Sequence, residues 1–123
     1  MRRTNFAEVR VGVWTLRSMA RCRRQISDPQ QVSLRDSSHL PGEAGKMVVS
    51  ILRRRKDQCL SNALIAQAWR ADHGDPVDVL IGVSSPAAGF TAHAWLEDRA
   101  DAQSVGLEPI HRISPKSDRT PTS

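Results

Sequence analysis

From Phe6 to Arg24 apolar side chains recur at three- and four-residue steps: Phe6, Val9, Val13, Leu16 and Ala20, broadened by Trp14 and Met19. Arg10, Arg17, Arg21 and Arg24 keep another surface polar. This period predicts an amphipathic helix with the Val9, Val13 and Leu16 stripe turned inward and the arginines in water. The pattern stops between Ser27 and Gly42, where Asp28-Pro29, Asp36-Ser37-Ser38 and Pro41-Gly42 are turn signals. It resumes from Glu43 to Arg54, with Met47, Val48, Ile51 and Leu52 as the apolar stripe. Arg53-Arg54-Arg55-Lys56 then closes the helix, where cations complement its dipole.

A third helix begins near Cys59, with Asp57 placed to cap it. Leu60, Ala63, Leu64, Ala68 and Trp69 form its buried stripe, and Gly74 supplies the C-terminal cap. After Asp75-Pro76 the period changes to two. Val77, Val79, Ile81 and Val83 alternate with Asp78, Leu80, Gly82 and Ser84, which predicts a strand with one apolar face. Gly82 would leave room there for another backbone or a substrate. A second strand runs from Phe90 to Glu97, with Thr91, His93, Trp95 and Glu97 on one face and Phe90, Ala92, Ala94 and Leu96 on the other. Asp98 to Asp101 reads as a hairpin turn and Ala102 to Ile110 as the returning strand. Helices followed by short antiparallel strands make the fold class α+β.

A chain of 123 residues, 39% hydrophobic and 25% charged, fits one small globular domain. The formal net charge of +5 favours an anionic partner without choosing one. No recognition-helix, zinc-finger or RNA-binding motif is present, and the arginine runs lack interleaved aromatic residues, so no nucleic-acid role is read. No stretch approaches the roughly 18 apolar residues of a membrane span, and the N-terminus lacks a signal-peptide pattern. Cytoplasmic residence is the expectation. Cys22 and Cys59 form no CxxC and suggest no stapled scaffold. Cys22 lies among Arg21, Arg23 and Arg24 without a nearby histidine and reads as non-catalytic. His39, in the long loop, belongs to no cluster with metal-ligand spacing. No metal and no cofactor are expected.

Cys59 and His93 are the chemical candidates. A thiol opening a helix meets orphan amides and the positive end of the dipole, which suit an anion and the oxyanion of a tetrahedral intermediate. An imidazole on the following sheet would take the thiol proton. Residue pattern alone leaves the bland readings open: a cysteine packed as a small hydrophobe and a histidine satisfied within the fold.

Cys59-Leu60, Ala63-Leu64, the Val79-to-Val83 strand and Ala92-His93-Ala94-Trp95-Leu96-Glu97, in this order and separation, resemble the transglutaminase-like cysteine proteases of lasso peptide biosynthesis. These are the leader peptidases, a type also represented by the C-terminal half of microcin-type maturation proteases. The resemblance implies a papain/transglutaminase-like core over 43–113, with 1–42 as a docking arm of helix and loop and 114–123 as a flexible tail. It implies a nucleophile-bearing helix beside a small antiparallel sheet, and removal of the leader from a ribosomally made lasso precursor peptide. Cys59 would be the nucleophile and His93 the general base and subsequent acid. A leader-recognition protein would deliver the precursor, and an asparagine-synthetase-like macrocyclase would close the freed core.

The family places an Asp on the strand after the histidine strand. If Arg99-Ala100 centres the turn here, His93 faces Gly106, while Ser104 and Glu108 share its side. Glu108 is then the candidate orienter, with Asp98 and Asp101 as acids nearer the turn. A Cys–His dyad and a loss of catalysis are the other readings, and His111 is peripheral. The non-enzymatic alternative is a peptide-binding or scaffold component using the same groove.

Overall fold

Three helices pack on one another, and the third of them covers one face of a small sheet. A computed structural model describes residues 6–25, 32–54, 58–83, 92–99 and 107–115. In chain order these form α1 (Phe6–Gln25), a 3-10 turn (Gly42–Ala44), α2 (Gly45–Arg53), α3 (Cys59–Asp72), β1 (Val79–Val83), β2 (Ala92–Leu96) and β3 (Glu108–Ile113). The fold is α+β, as the pattern predicts. The expected cap Asp57, the turn acid Asp101 and the tail from residue 116 lie outside the described residues.

Helix α1 forms over the expected span but in a different phase. Val11, Trp14, Thr15, Ser18 and Cys22 are buried, whereas Val9, Val13 and Leu16 stay 49%, 42% and 57% exposed. Trp14 decides the rotation. Its ring meets Trp69 of α3 at 5.5 Å between centroids, and its indole N–H donates to the Arg35 carbonyl at 3.0 Å. A buried tryptophan needs a partner for that N–H, and this orientation supplies one. Thr15 fits the buried face because its hydroxyl donates back to the Val11 carbonyl at 2.9 Å.

Helix α2 buries Val48 and Leu52, with Met47 packed beside them. Helix α3 runs through the middle and buries Ala63, Leu64, Ile65, Ala68 and Trp69. Its C-terminus closes as a Schellman motif. Gly74 takes φ 82°, its N–H donates to Ala71, and the Asp75 N–H donates to Arg70. The left-handed conformation is cheap only for glycine.

The sheet order is β2-β1-β3, with both pairings antiparallel. Of the expected returning strand, residues 102–106 lie outside the described residues. Residues 108–110, expected beside the histidine strand, belong to Glu108–Ile113, which pairs with β1 instead. Packing explains the choice. Beside central β1, Ile113 enters the same cluster as Val79, Ala94 and Leu96 and is only 5% exposed. Arg112 then bonds Asp78 at 2.6 Å and Glu97 at 2.9 Å, joining the ends of all three strands. A bulge between Ile81 and Gly82 absorbs the register difference. Among the described residues, no helix is long and apolar enough to cross a membrane.

Candidate active site

Three side chains at the C-terminal half of α3 fix its direction against the sheet. Gln67 is buried, and its amide donates at 2.9 Å both to the Val77 carbonyl before β1 and to the Ile113 carbonyl at the end of β3. Arg70 grips Asp98, just past β2, through two bonds of 2.7 Å, and Asp75 through bonds of 2.9 and 2.6 Å. His73 stacks on Trp69 and bridges the carbonyls of Trp69 and Leu40 at 2.7 and 2.8 Å. Helix α3 is thus anchored where β1 begins and where β2 and β3 end. Its N-terminus points toward the opposite end of the sheet, where β1 ends and β2 and β3 begin. Cys59 lies about 12 Å up the helix axis from Gln67, and the Gly82–His93 pair lies about 16 Å along the sheet from Val77. Cys59 and His93 therefore both lie away from the anchored end of α3.

Cys59 is the first helical residue. Gln58 precedes it in a non-helical conformation and makes no side-chain cap. The helix starts where the Asn62 N–H donates to the Gln58 carbonyl at 2.8 Å, and the Asn62 amide holds the Leu52 carbonyl of α2 at 3.1 Å. The Cys59 side chain is half-buried and packs against the core cluster. Cys22 is fully buried within that cluster, and the two cysteines are not bridged.

His93 is 8% exposed and pairs across the sheet with Gly82. Its ring stacks on Trp95 with centroids 5.9 Å apart and planes within 17°. Trp95 in turn lies over Gly82, where an added Cβ would stand 2.7 Å from the indole. The space expected for a substrate or backbone at Gly82 is filled by Trp95, which backs the histidine. Alternation along β2 sets His93 and Trp95 on one sheet surface and Ala94 and Leu96 on the other, within the core cluster that includes α3. Cys59 opens the unanchored end of α3, and His93 lies on the sheet surface away from the helix layer.

Among the described residues the candidate acids are Glu108 and Asp98, and neither lies opposite His93 in the sheet; Asp101 lies outside them. Glu108 is exposed and pairs with Val83, so β1 separates it from β2. Two strand spacings make about 10 Å, and the Val83 row has the opposite facing to the Gly82–His93 row. A direct Glu108–His93 hydrogen bond does not fit this order. Asp98 is committed to Arg70, whose hydrogen bonds hold its carboxyl below the ordinary aspartate value and raise the guanidinium above its own. His39 and His111 are exposed. Among the described residues, no group of three His, Cys, Asp or Glu side chains could hold a metal ion.

Sequence reasoning missed the anchors. Gln67 had a visible signal, since a polar residue next to Ala68 on a buried helix face must have its amide satisfied. The Arg70–Asp98 tie had none, because it joins residues distant in sequence.

The family model described as Transglutaminase-like superfamily matches residues 5–114. The chain belongs to the transglutaminase-like superfamily. No curated protein and no solved structure matches it. Transglutaminase-like proteins are typically cysteine-based enzymes, commonly cysteine peptidases. The match takes in α1 as well as the sheet, in keeping with the share that Val11, Trp14 and Cys22 have in the common core.

Proposed function

We propose that this transglutaminase-like protein is a cysteine peptidase that removes the leader from a ribosomally made, lasso-type precursor peptide. The observation that carries the reading is Cys59 at the first position of α3, in a chain that belongs to the transglutaminase-like superfamily. In the reaction the Cys59 sulfur attacks the scissile carbonyl, and the thiol proton passes to His93. His93 returns a proton to the leaving amine, and a thioester holds the acyl half until water hydrolyses it. First-turn amides of α3 offer donors to the oxyanion. On this reading the proton transfers fall to Cys59 and His93; of the described candidate acids, Glu108 pairs with Val83 and Asp98 with Arg70. A leader-recognition protein delivers the precursor, and an asparagine-synthetase-like macrocyclase takes the freed core peptide.

The second reading is a peptide-binding component without catalysis. It is favoured by the facing of His93, which lies on the Trp95 surface rather than against α3. Catalysis needs the imidazole to reach the thiol around the start of β2 when substrate binds, and catalytic hydrogen bonds commonly tighten at that stage. The deciding experiment incubates the protein with precursor and delivery protein and weighs the products by mass spectrometry. Release of the leader by the wild type and its loss in Cys59→Ala support the peptidase. Precursor that is bound but never cut supports the second reading.

A further inference from the structure

The exposed surface of α1 has two stripes that the proposed chemistry does not use. Arg10, Arg17, Arg21 and Arg24 follow one another at steps of seven, four and three residues and so share one face of the helix. Beside them run Val9, Val13 and Leu16, the apolar residues that the helix leaves exposed. The arginine face forms one wall of a groove of about 590 Å³, and Arg35, Asp36 and Leu40 form the other. Among the described residues lining it, Asp36 is the one carboxylate, and it is occupied in holding the Ser38 N–H and hydroxyl at 3.2 and 2.6 Å. Arg21 Nε is buried and has no hydrogen-bond partner. A desolvated guanidinium N–H without an acceptor is costly, and an anion on the remaining N–H groups of the partly exposed Arg21 would offset that cost.

We propose that this groove docks an acidic, amphipathic segment of a partner polypeptide, its carboxylates on Arg17, Arg21 and Arg24 and its apolar side chains on Val9 and Val13. The helix sets those arginines about 5–6 Å apart along its axis. That interval suits carboxylates one helical turn apart, or at alternate residues of an extended chain. A nucleic acid fits less well. Among the described residues lining the groove, Trp14 is 6% exposed with its N–H already donated, which leaves the small His39 ring as the one aromatic face open for base stacking. A phosphate backbone also leaves Val9 and Val13 uncovered. The groove is remote from the thiol: Trp14 meets α3 at Trp69, about 15 Å along the helix from Cys59. Docking there needs no catalysis, so this reading stands apart from the peptidase proposal.

The test is fluorescence anisotropy on the full chain. The probes are a labelled peptide in which Glu alternates with Leu, the same peptide with Gln for Glu, a labelled oligonucleotide, and vesicles containing anionic lipid. Saturable binding of the Glu peptide is expected, weakened by about tenfold or more with the Gln peptide and in Arg21→Gln or the exposed Arg17→Glu. Arg53→Glu combined with Arg54→Glu, a larger charge change at the far end of α2, leaves it within about twofold. The proposal is overturned if the Gln peptide binds as well, if the Arg53 and Arg54 pair matters as much as the groove arginines, or if the oligonucleotide or the vesicles bind more tightly than the Glu peptide.

Discussion

At its C-terminal end α3 is closed by a Schellman turn at Gly74, held to two strand ends by Gln67 and tied to Asp98 by Arg70. At its N-terminal end Gln58 makes no side-chain cap, and the first residue is a half-buried thiol. One helix thus carries its ties to the sheet at one end and the candidate nucleophile at the other. The division is physical. Side chains that bridge several backbone segments must be bonded in place, while a nucleophile must stay within reach of a substrate that comes and goes. Stability and chemistry are expected to separate along α3, and variants at the two ends test the separation.

Cys59→Ala carries the largest expected effect. On the proposed peptidase reading it removes the nucleophile and is expected to lower leader release by about a thousandfold or more, measured by chromatography of the products. The side chain is half-buried and small, so the denaturation midpoint stays close to wild type. A variant that unfolds would show Cys59 to be a packing residue, and one that still cuts would break the division altogether. Gln67→Leu acts in the opposite sense. It strips the donors from the carbonyls of Val77 and Ile113 and costs about 2–3 kcal/mol in urea denaturation, with turnover per folded molecule unchanged. Gly74→Ala isolates the turn. Nothing lies within 4 Å of the added methyl group, so the expected cost of about 1–2 kcal/mol is backbone strain at positive φ. A neutral result would mean that the turn relaxes and contributes little to the fastening.

Much of α3 is legible in the sequence because its signals are local. The Leu64, Ala68 and Trp69 stripe, the following glycine and the change to a two-residue period at Val77 each rest on neighbours along the chain. The shared face of His93 and Trp95 follows from the same alternation. The phase of α1 is not local. Val9, Val13 and Leu16 make as good a stripe as Val11, Trp14 and Cys22 until Trp69 and the Arg35 carbonyl are in place. Strand order is not local either. Asp98 to Asp101 looks like a turn whichever side the next strand takes, and the side is chosen by Ile113 in the core and by Arg112 between Asp78 and Glu97. Glu108 loses its place beside His93 for that reason: the count crosses a hairpin from β2, whereas Glu108–Ile113 pairs with β1.

Asp98→Asn probes the smallest and most exposed part of the fastening. The Asp98 carboxylate meets water on one side and the Arg70 guanidinium on the other, with bonds of 2.7 Å to each of its oxygens. Exposed ion pairs are weak, so the variant is expected to lose less stability than Gln67→Leu or Gly74→Ala. Its signature is the pH dependence. Arg70 holds the carboxyl below its ordinary value, so the folded state favours the ionised form. The contribution is fully present above the unfolded aspartate value, about 3.9, and is lost as the pH falls through the lower folded value. Melting curves of wild type and Asp98→Asn should therefore differ at neutral pH and converge in acid. A difference that persists below the carboxylate range would assign the effect to shape at the end of β2 rather than to charge. A loss at neutral pH as large as that of Gln67→Leu would make the ion pair, not the amide bridge, the principal anchor of the C-terminal half of α3.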